Sequence, residues 1–212
     1  MACADGPPRD PMHDSPHDVQ AEKAAWRARM LAARRAMPPA GRAAATHALT
    51  RLVLTAPAVR RARRVAAYAP MSSEPGSVAL LDGLLGLGLW VVLPVVLPGG
   101  TLDWAAYDGL LRPAGGEGGR GLCEPAGPRL GPEVLAEVDV VLAPGLAVDR
   151  QGTRLGRGGG CYDRALAGLP APVTVAVLLY DGELVDAVLP AEPHDRPVTA
   201  AVAPVLGWVD LG

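Results

Sequence analysis

Phenylalanine is missing altogether from this 212-residue sequence, lysine occurs once, at position 23, and cysteine three times. Cys3, Cys123 and Cys161 are odd in number and far apart, which suits neither a disulfide framework nor a zinc cluster and makes the cytoplasm the expected location. No charge of one sign dominates. The formal net charge is −2, so a broad basic field for gripping nucleic acid is excluded and any anion site has to be local. The longest apolar run, LLGLGLWVVLPVVLP at 84–98, is broken by Pro94 and is shorter than the roughly 20 residues that span a bilayer. It reads as a buried helix passing into a strand, and no membrane association is expected. The first twenty residues lack the basic start and apolar middle of a secretory signal; rich in proline, aspartate and histidine, they are expected to form a disordered leader, 1–20. The remainder, 21–212, fits one domain, since domains commonly hold about 100 to 200 residues. A monomer is the expected state.

What is present alternates between helical and strand patterns. VQAEKAAWRARMLAARRAM (19–37), read as a helix near 18–36, has few helix breakers and many helix formers, and GRAAATHALTRLVLTA (41–56) makes a second amphipathic helix behind Pro38-Pro39. RVAAYAP (64–70) is a short apolar strand ended by turn residues. Helical SVALLDGLLGLG (77–88) and β-branched WVVLPVV (90–96) follow, completing a β-α-β unit. TLDWAAY (101–107) pairs as a further strand before PAGGEGGRGLCEP (113–125), a glycine-rich stretch without a core-forming pattern that is expected to cover a site or join elements. VDVVLAP (138–144), VTVAVLLY (173–180) and, last, VTAAVAP (198–204) are strands, and CYDRALAGL (161–169) is a short helix. No internal repeat is visible. Continuous apolar strands separated by helices predict an α/β fold: an open, mostly parallel, twisted sheet with helices on both faces, three-layered and Rossmann-like.

Two features carry chemistry. Nineteen of the twenty basic residues are arginine, so the single Lys23 either survives by chance on a solvated helix face or meets a need for a compact ammonium where arginine offers a planar fork. The second is RLGRGGGCYDR (154–164), with four glycines and three arginines in eleven positions between a strand and a helix. Ligands of such sheets sit beyond the carboxyl ends of the strands. Glycines let successive backbone N–H groups turn toward one concavity, and Arg154 and Arg157 add fork donors for phosphate or carboxylate oxygens, while Asp163 can hold a magnesium ion. A flexible surface turn is the competing reading. Neither a P-loop nor a dinucleotide fingerprint fits, because the spacing is G-x-G-G-G and no G-K-[ST] occurs.

PGLAVDRQGT followed by RLGRGGGCYDR closely resembles the signature of the 5-formyltetrahydrofolate cyclo-ligase family. KAAWR (23–27), YAPMSSE (68–74), GLCEP (121–125) and LPAEPHD (189–195) resemble further motifs of that family in the same order, so the likeness spans about residues 23–204. It implies that Lys23 and Arg27 contact ATP, four apart and hence on one helix face with Arg34 nearby. Arg154, Leu155, Gly156, Arg157, Gly158, Gly159, Gly160, Cys161 and Tyr162 resemble the loop that wraps ATP. Arg27 and the segment from Arg157 to Cys161 also face the folate, as do Ala69 and Glu74, whose carboxylate can pair with pterin N–H donors. Asp163 and Asp195 resemble the carboxylates that hold Mg²⁺.

The reaction implied is ATP- and Mg²⁺-dependent conversion of 5-formyltetrahydrofolate to 5,10-methenyltetrahydrofolate. ATP phosphorylates the formyl oxygen, N10 then attacks the same carbon, and ADP and phosphate are released. Phosphoryl transfer asks for positioning and for cations around the moving charge, which makes Arg154 and Arg157 the candidate catalytic residues beside Lys23. No protein nucleophile is required, so Cys161 is given a packing or backbone role; His194 is either an acid–base group or a loop-ordering residue. Arg60, Arg61, Arg63 and Arg64 read as a solvated helix end. A non-catalytic folate- or nucleotide-binding relative, and a sugar-phosphate isomerase or acyl transferase on a similar sheet, are the competing functions. The sequence departs from the family pattern at Cys161 (tyrosine expected), Val148 (an aromatic) and Pro75 (an aliphatic residue), and in a glutamine ahead of the last motif, for which Glu183 and Leu184 are the nearest candidates.

Overall fold

The computed structural model describes residues 16–115, 121–170 and 172–211. Helix α1 spans Pro16–Ala36, so residues 16–20, expected in a leader, are helical, and residues 1–15 lie outside the described residues. Asp18 in its first turn and Arg34 and Arg35 in its last complement the helix dipole, which favours this earlier start. Helices α2 (Pro39–Thr55) and α3 (Pro57–Arg61) each open on a proline, whose missing N–H would have had no helical partner there. The order continues β1 (Arg64–Ala66), α4 (Val78–Gly86), β2 (Trp90–Val96), β3 (Leu102–Ala106), β4 (Leu111–Pro113), β5 (Cys123–Pro125), β6 (Val140–Pro144), β7 (Ala147–Asp149) and β8 (Arg154–Leu155). It ends with α5 (Cys161–Leu166), β9 (Thr174–Leu178), β10 (Leu184–Val185), β11 (Ala200–Ala203) and β12 (Gly207–Asp210). Among the described residues no helix is long and apolar enough to cross a membrane.

Seven strands form the main sheet in the order β12-β11-β9-β6-β1-β2-β3. The five central strands run parallel and the two edge strands antiparallel. The apolar strands are continuous because both faces are covered. Val65, Val91, Leu93, Leu142 and Leu178 meet Leu49 and Val53 of α2 and Leu81 and Leu84 of α4, while Ala66, Val92, Val141 and Val177 meet Leu166 of α5 and a 3-10 turn at Pro132–Glu137. The predicted three-layer α/β architecture is what the chain adopts.

The sequence reading missed the last strand. β12 is a half-exposed edge with no apolar run, reached through Gly207 at φ 77°. It also missed a small β10-β7-β8 sheet and the β4–β5 hairpin that frames the glycine-rich stretch, both built from strands of two or three residues that are too short to show a period. Residues 116–120 of that stretch lie outside the described residues.

Strand order reverses between β1 and β6: the chain passes from β1 to β2 on one side and to β6, β9 and β11 on the other. Neighbouring connections therefore diverge at this point, leaving a crevice beyond the carboxyl ends of β1 and β6.

Candidate active site

Every residue to which the family resemblance assigns a ligand lines one cavity of about 300 Å³ in that crevice. Tyr68 and Ala69 leave β1 on one wall, Gly145 and Leu146 leave β6 at the floor, and α1 and the 154–163 segment close the other side. Lys23 is 4% exposed, so it is no survivor on a solvated face. Its Nζ donates to Glu192 Oε2 at 2.7 Å and to Asp195 Oδ2 at 2.5 Å. One turn on, Arg27 Nε donates to the Gly156 carbonyl at 3.0 Å, fastening α1 to the glycine loop. Burial pushes the Asp195 carboxyl up, but hydrogen bonds from Lys23 and from the Glu192 N–H outweigh it and hold it below the ordinary carboxylate value. Glu192 is held low by Lys23 and by Gln20, whose Nε2 donates to the same carboxylate.

Arg154 enters from β8 and is buried. Its Nη2 donates to Asp163 Oδ1 at 2.5 Å and its Nη1 to the Pro144 carbonyl at 3.3 Å, while Nε is buried with no partner among the described residues. The loop that follows needs its glycines: Gly158 and Gly160 have φ of 102° and 62°, and a Cβ at Gly156 would stand 2.9 Å from Arg154 Nη1. Backbone N–H groups from Gly156 to Asp163 donate to no acceptor among the described residues. Arg164 pins the loop by donating to the Gly100 and Gly159 carbonyls at 2.8 and 3.1 Å. N–H groups without acceptors among the described residues, on a loop that lines the cavity beside two guanidinium groups, suit an anion of several oxygens, and these fastenings hold the loop in place.

Another part of the cavity wall is built around Glu74. Its Oε2 accepts from the Met71 N–H at 3.0 Å and its Oε1 from Arg157 Nε at 3.1 Å; Arg157 Nη2 also donates to Ser73 Oγ. Tyr68 donates its hydroxyl to the Pro75 carbonyl at 2.5 Å, and Tyr180 donates to the Glu74 carbonyl at 3.2 Å. The unexpected Pro75 thus gives up an N–H and keeps the acceptor that anchors the turn. Burial, followed by the nearby Glu74 charge, raises the hydroxyls of Tyr68 and Tyr162 above the ordinary tyrosine value, so both remain protonated donors. The Tyr162 hydroxyl is buried without a partner among the described residues, and its ring stands edge-on to Trp104.

Three expectations are refined by this geometry. The Leu155 side chain packs with Met30, Leu146 and Leu189, so that residue offers its backbone to the cavity. Asp163 and Asp195 both line the cavity but are held by different cations, Arg154 and Lys23. Among the described residues, the group of three or more ligand-type side chains whose atoms lie within 4.8 Å of one another is Glu192, His194 and Asp195, without Asp163. Cys161 Sγ lies 3.6 Å from the Gly159 carbonyl and 3.9 Å from Arg164 Nη2, contacts in keeping with a packing role. Residues the sequence reading left without a role are Glu192, Arg164 and the Arg34–Glu183 pair. The first two lie inside quoted motifs and could have been found there, whereas a partnership 149 residues apart leaves no local signal.

The family model described as "5-formyltetrahydrofolate cyclo-ligase family" matches residues 19–204. The 5-formyltetrahydrofolate cyclo-ligase of Mycolicibacterium smegmatis is 48% identical over 158 residues, covering 70% of this chain and 77% of that protein. That of Escherichia coli is 41% identical over 75 residues, 35% of this chain and 41% of its own length. Among solved structures, the 5,10-methenyltetrahydrofolate synthetase of Aquifex aeolicus superposes with a TM-score of 0.69 at 25% identity, covering 86% of this chain and 89% of that one. The Mycoplasma pneumoniae 5,10-methenyltetrahydrofolate synthetase gives 0.66 at 20% identity, over 84% and 96%, a likeness of fold. With a family model running nearly end to end and close identity across most of a curated relative, the chain belongs to the 5-formyltetrahydrofolate cyclo-ligase family.

Proposed function

We propose that this protein converts 5-formyltetrahydrofolate to 5,10-methenyltetrahydrofolate with ATP, releasing ADP and phosphate. The observation that carries this reading is one cavity with two opposed chemistries. The wall holds the N–H groups of the 156–163 loop and the Arg154 Nε, which have no partner among the described residues, with Arg27 and Lys23; it also holds the Glu74 carboxylate, which Arg157 of that loop reaches. The first set suits a polyphosphate and the second a pterin edge with N–H donors. The formyl oxygen is a poor leaving group; its phosphorylation makes it a good one, after which N10 closes the ring on the same carbon and loses its proton. Lys23, Arg154 and Arg157 stabilise the charge that moves between the phosphates and the formyl oxygen.

The donor set also fits magnesium. Among the described residues Asp195 Oδ1 and Asp163 Oδ2 accept no hydrogen bond, and a hard cation that keeps several waters needs only one or two such oxygens. When bound, the ion would neutralise phosphate charge, held by Asp163 and Asp195. The test is to mix purified protein with 5-formyltetrahydrofolate, ATP and Mg²⁺ and follow absorbance of the methenyl product. Product should form and should require ATP. Binding of folate or nucleotide without product would instead mark a non-catalytic relative.

A further inference from the structure

Beneath the Glu74 end of the cavity lies a buried ion pair that the proposed reaction does not use. Arg34, in the last turn of α1, is 2% exposed, and Glu183, in the turn between β9 and β10, is 4% exposed. Arg34 Nε and Nη2 donate to the two oxygens of Glu183 at 2.7 and 2.8 Å, and Nη2 also donates to the Gly145 carbonyl at 2.6 Å. Glu183 Oε2 accepts in addition from the Tyr180 N–H at 2.8 Å, and the Arg34 guanidinium stands 5.5 Å over the Tyr180 ring. The Tyr180 hydroxyl then reaches the Glu74 carbonyl. Burying two charges seldom adds stability over an apolar pair of the same volume, so such a pair calls for another reason to be there. Here it meets the carboxyl ends of three parallel strands: Gly145 after β6, Tyr180 after β9 and, through the phenol, Glu74 beyond β1.

We propose that the Arg34–Glu183 pair is a positioning device for the folate end of the site. It fixes the Tyr180 phenol and, through it, the backbone of Glu74, so that the Glu74 carboxylate stays aimed at the substrate. This rests on the reading of Glu74 as the folate contact. Two variants test it. Tyr180→Phe keeps the ring under Arg34 and removes only the hydroxyl; Arg34→Met with Glu183→Gln removes both charges, strands neither, and keeps an amide oxygen for the Tyr180 N–H. The KM values for 5-formyltetrahydrofolate and for ATP are measured together with melting temperature. Both variants should raise the folate KM about tenfold, the scale of one lost hydrogen bond, with the ATP KM within about twofold; melting should be little changed in Tyr180→Phe and somewhat lower in the double variant, which also removes the donor to the Gly145 carbonyl. A folate KM at the wild-type value in Tyr180→Phe, or equal rises in both KM values, would overturn the proposal. So would a double variant that melts lower but binds folate normally, which is the mark of a purely structural pair. A wild-type protein that makes no methenyl product would overturn the proposed function instead, which keeps the two failures apart.

Discussion

Lys23 shows what a single side chain decides. Its ammonium sits between Glu192 and Asp195 and holds both carboxyls below their ordinary values, with only 4% of the residue exposed. Arginine's wider fork would not fit the same point between two acids as a flexible stem does. Replacing it in Lys23→Met should raise the ATP KM by about 10- to 100-fold, the range of a lost charge-assisted hydrogen bond, as steady-state kinetics would show. The pH consequence has a definite sign. Unfolded carboxyls titrate near about 4, and the native ones titrate lower. As pH falls through that interval the unfolded chain takes up more protons, so stability present above the interval is lost on acidification. Melting temperature should therefore drop more steeply from pH 5 to pH 3 in wild type than in Lys23→Met. Equal slopes would mean that Lys23 does not hold these acids down.

Among the elements, the β7–β8 turn ties the two distant halves of the site together. The buried Asp149 accepts from the Gln151 and Thr153 N–H groups with Oδ1 and from the Leu189 N–H with Oδ2, and Gly152 accepts from the Val198 N–H. The turn that leads into Arg154 thus also frames the 189–198 segment that carries Glu192 and Asp195. In Asp149→Asn one of these N–H groups faces an amide NH₂. A loss of about 1–3 kcal/mol is expected in denaturant melts; no loss would show that the bonds are dispensable.

The same element shows what a sequence can and cannot announce. Strands such as Trp90–Val96 and Val140–Pro144 were legible because burial on both faces writes an unbroken apolar run. The strands Ala147–Asp149, Arg154–Leu155 and Leu184–Val185 were not, because two or three residues carry no period and their pairing is set by tertiary contacts.

For the whole molecule, the main consequence of the fold is that motifs spread from Lys23 to Asp195 meet at one crevice, where strand order reverses between β1 and β6. The identity of these residues was legible from short motifs, since chemistry requires particular side chains at particular spacings. Their partnerships were not: Arg154 with Asp163, Arg157 with Glu74, and Arg34 with Glu183 depend on which loops leave which strand ends. On the proposed function, the 156–163 loop cradles the phosphates of ATP with its own N–H groups, which lack protein acceptors among the described residues. Amide hydrogen exchange across that loop, with and without ATP and Mg²⁺, is the deciding measurement. The loop amides should exchange quickly alone and slow markedly with the nucleotide. Unchanged exchange there under saturating ATP, with protection appearing elsewhere, would contradict the account.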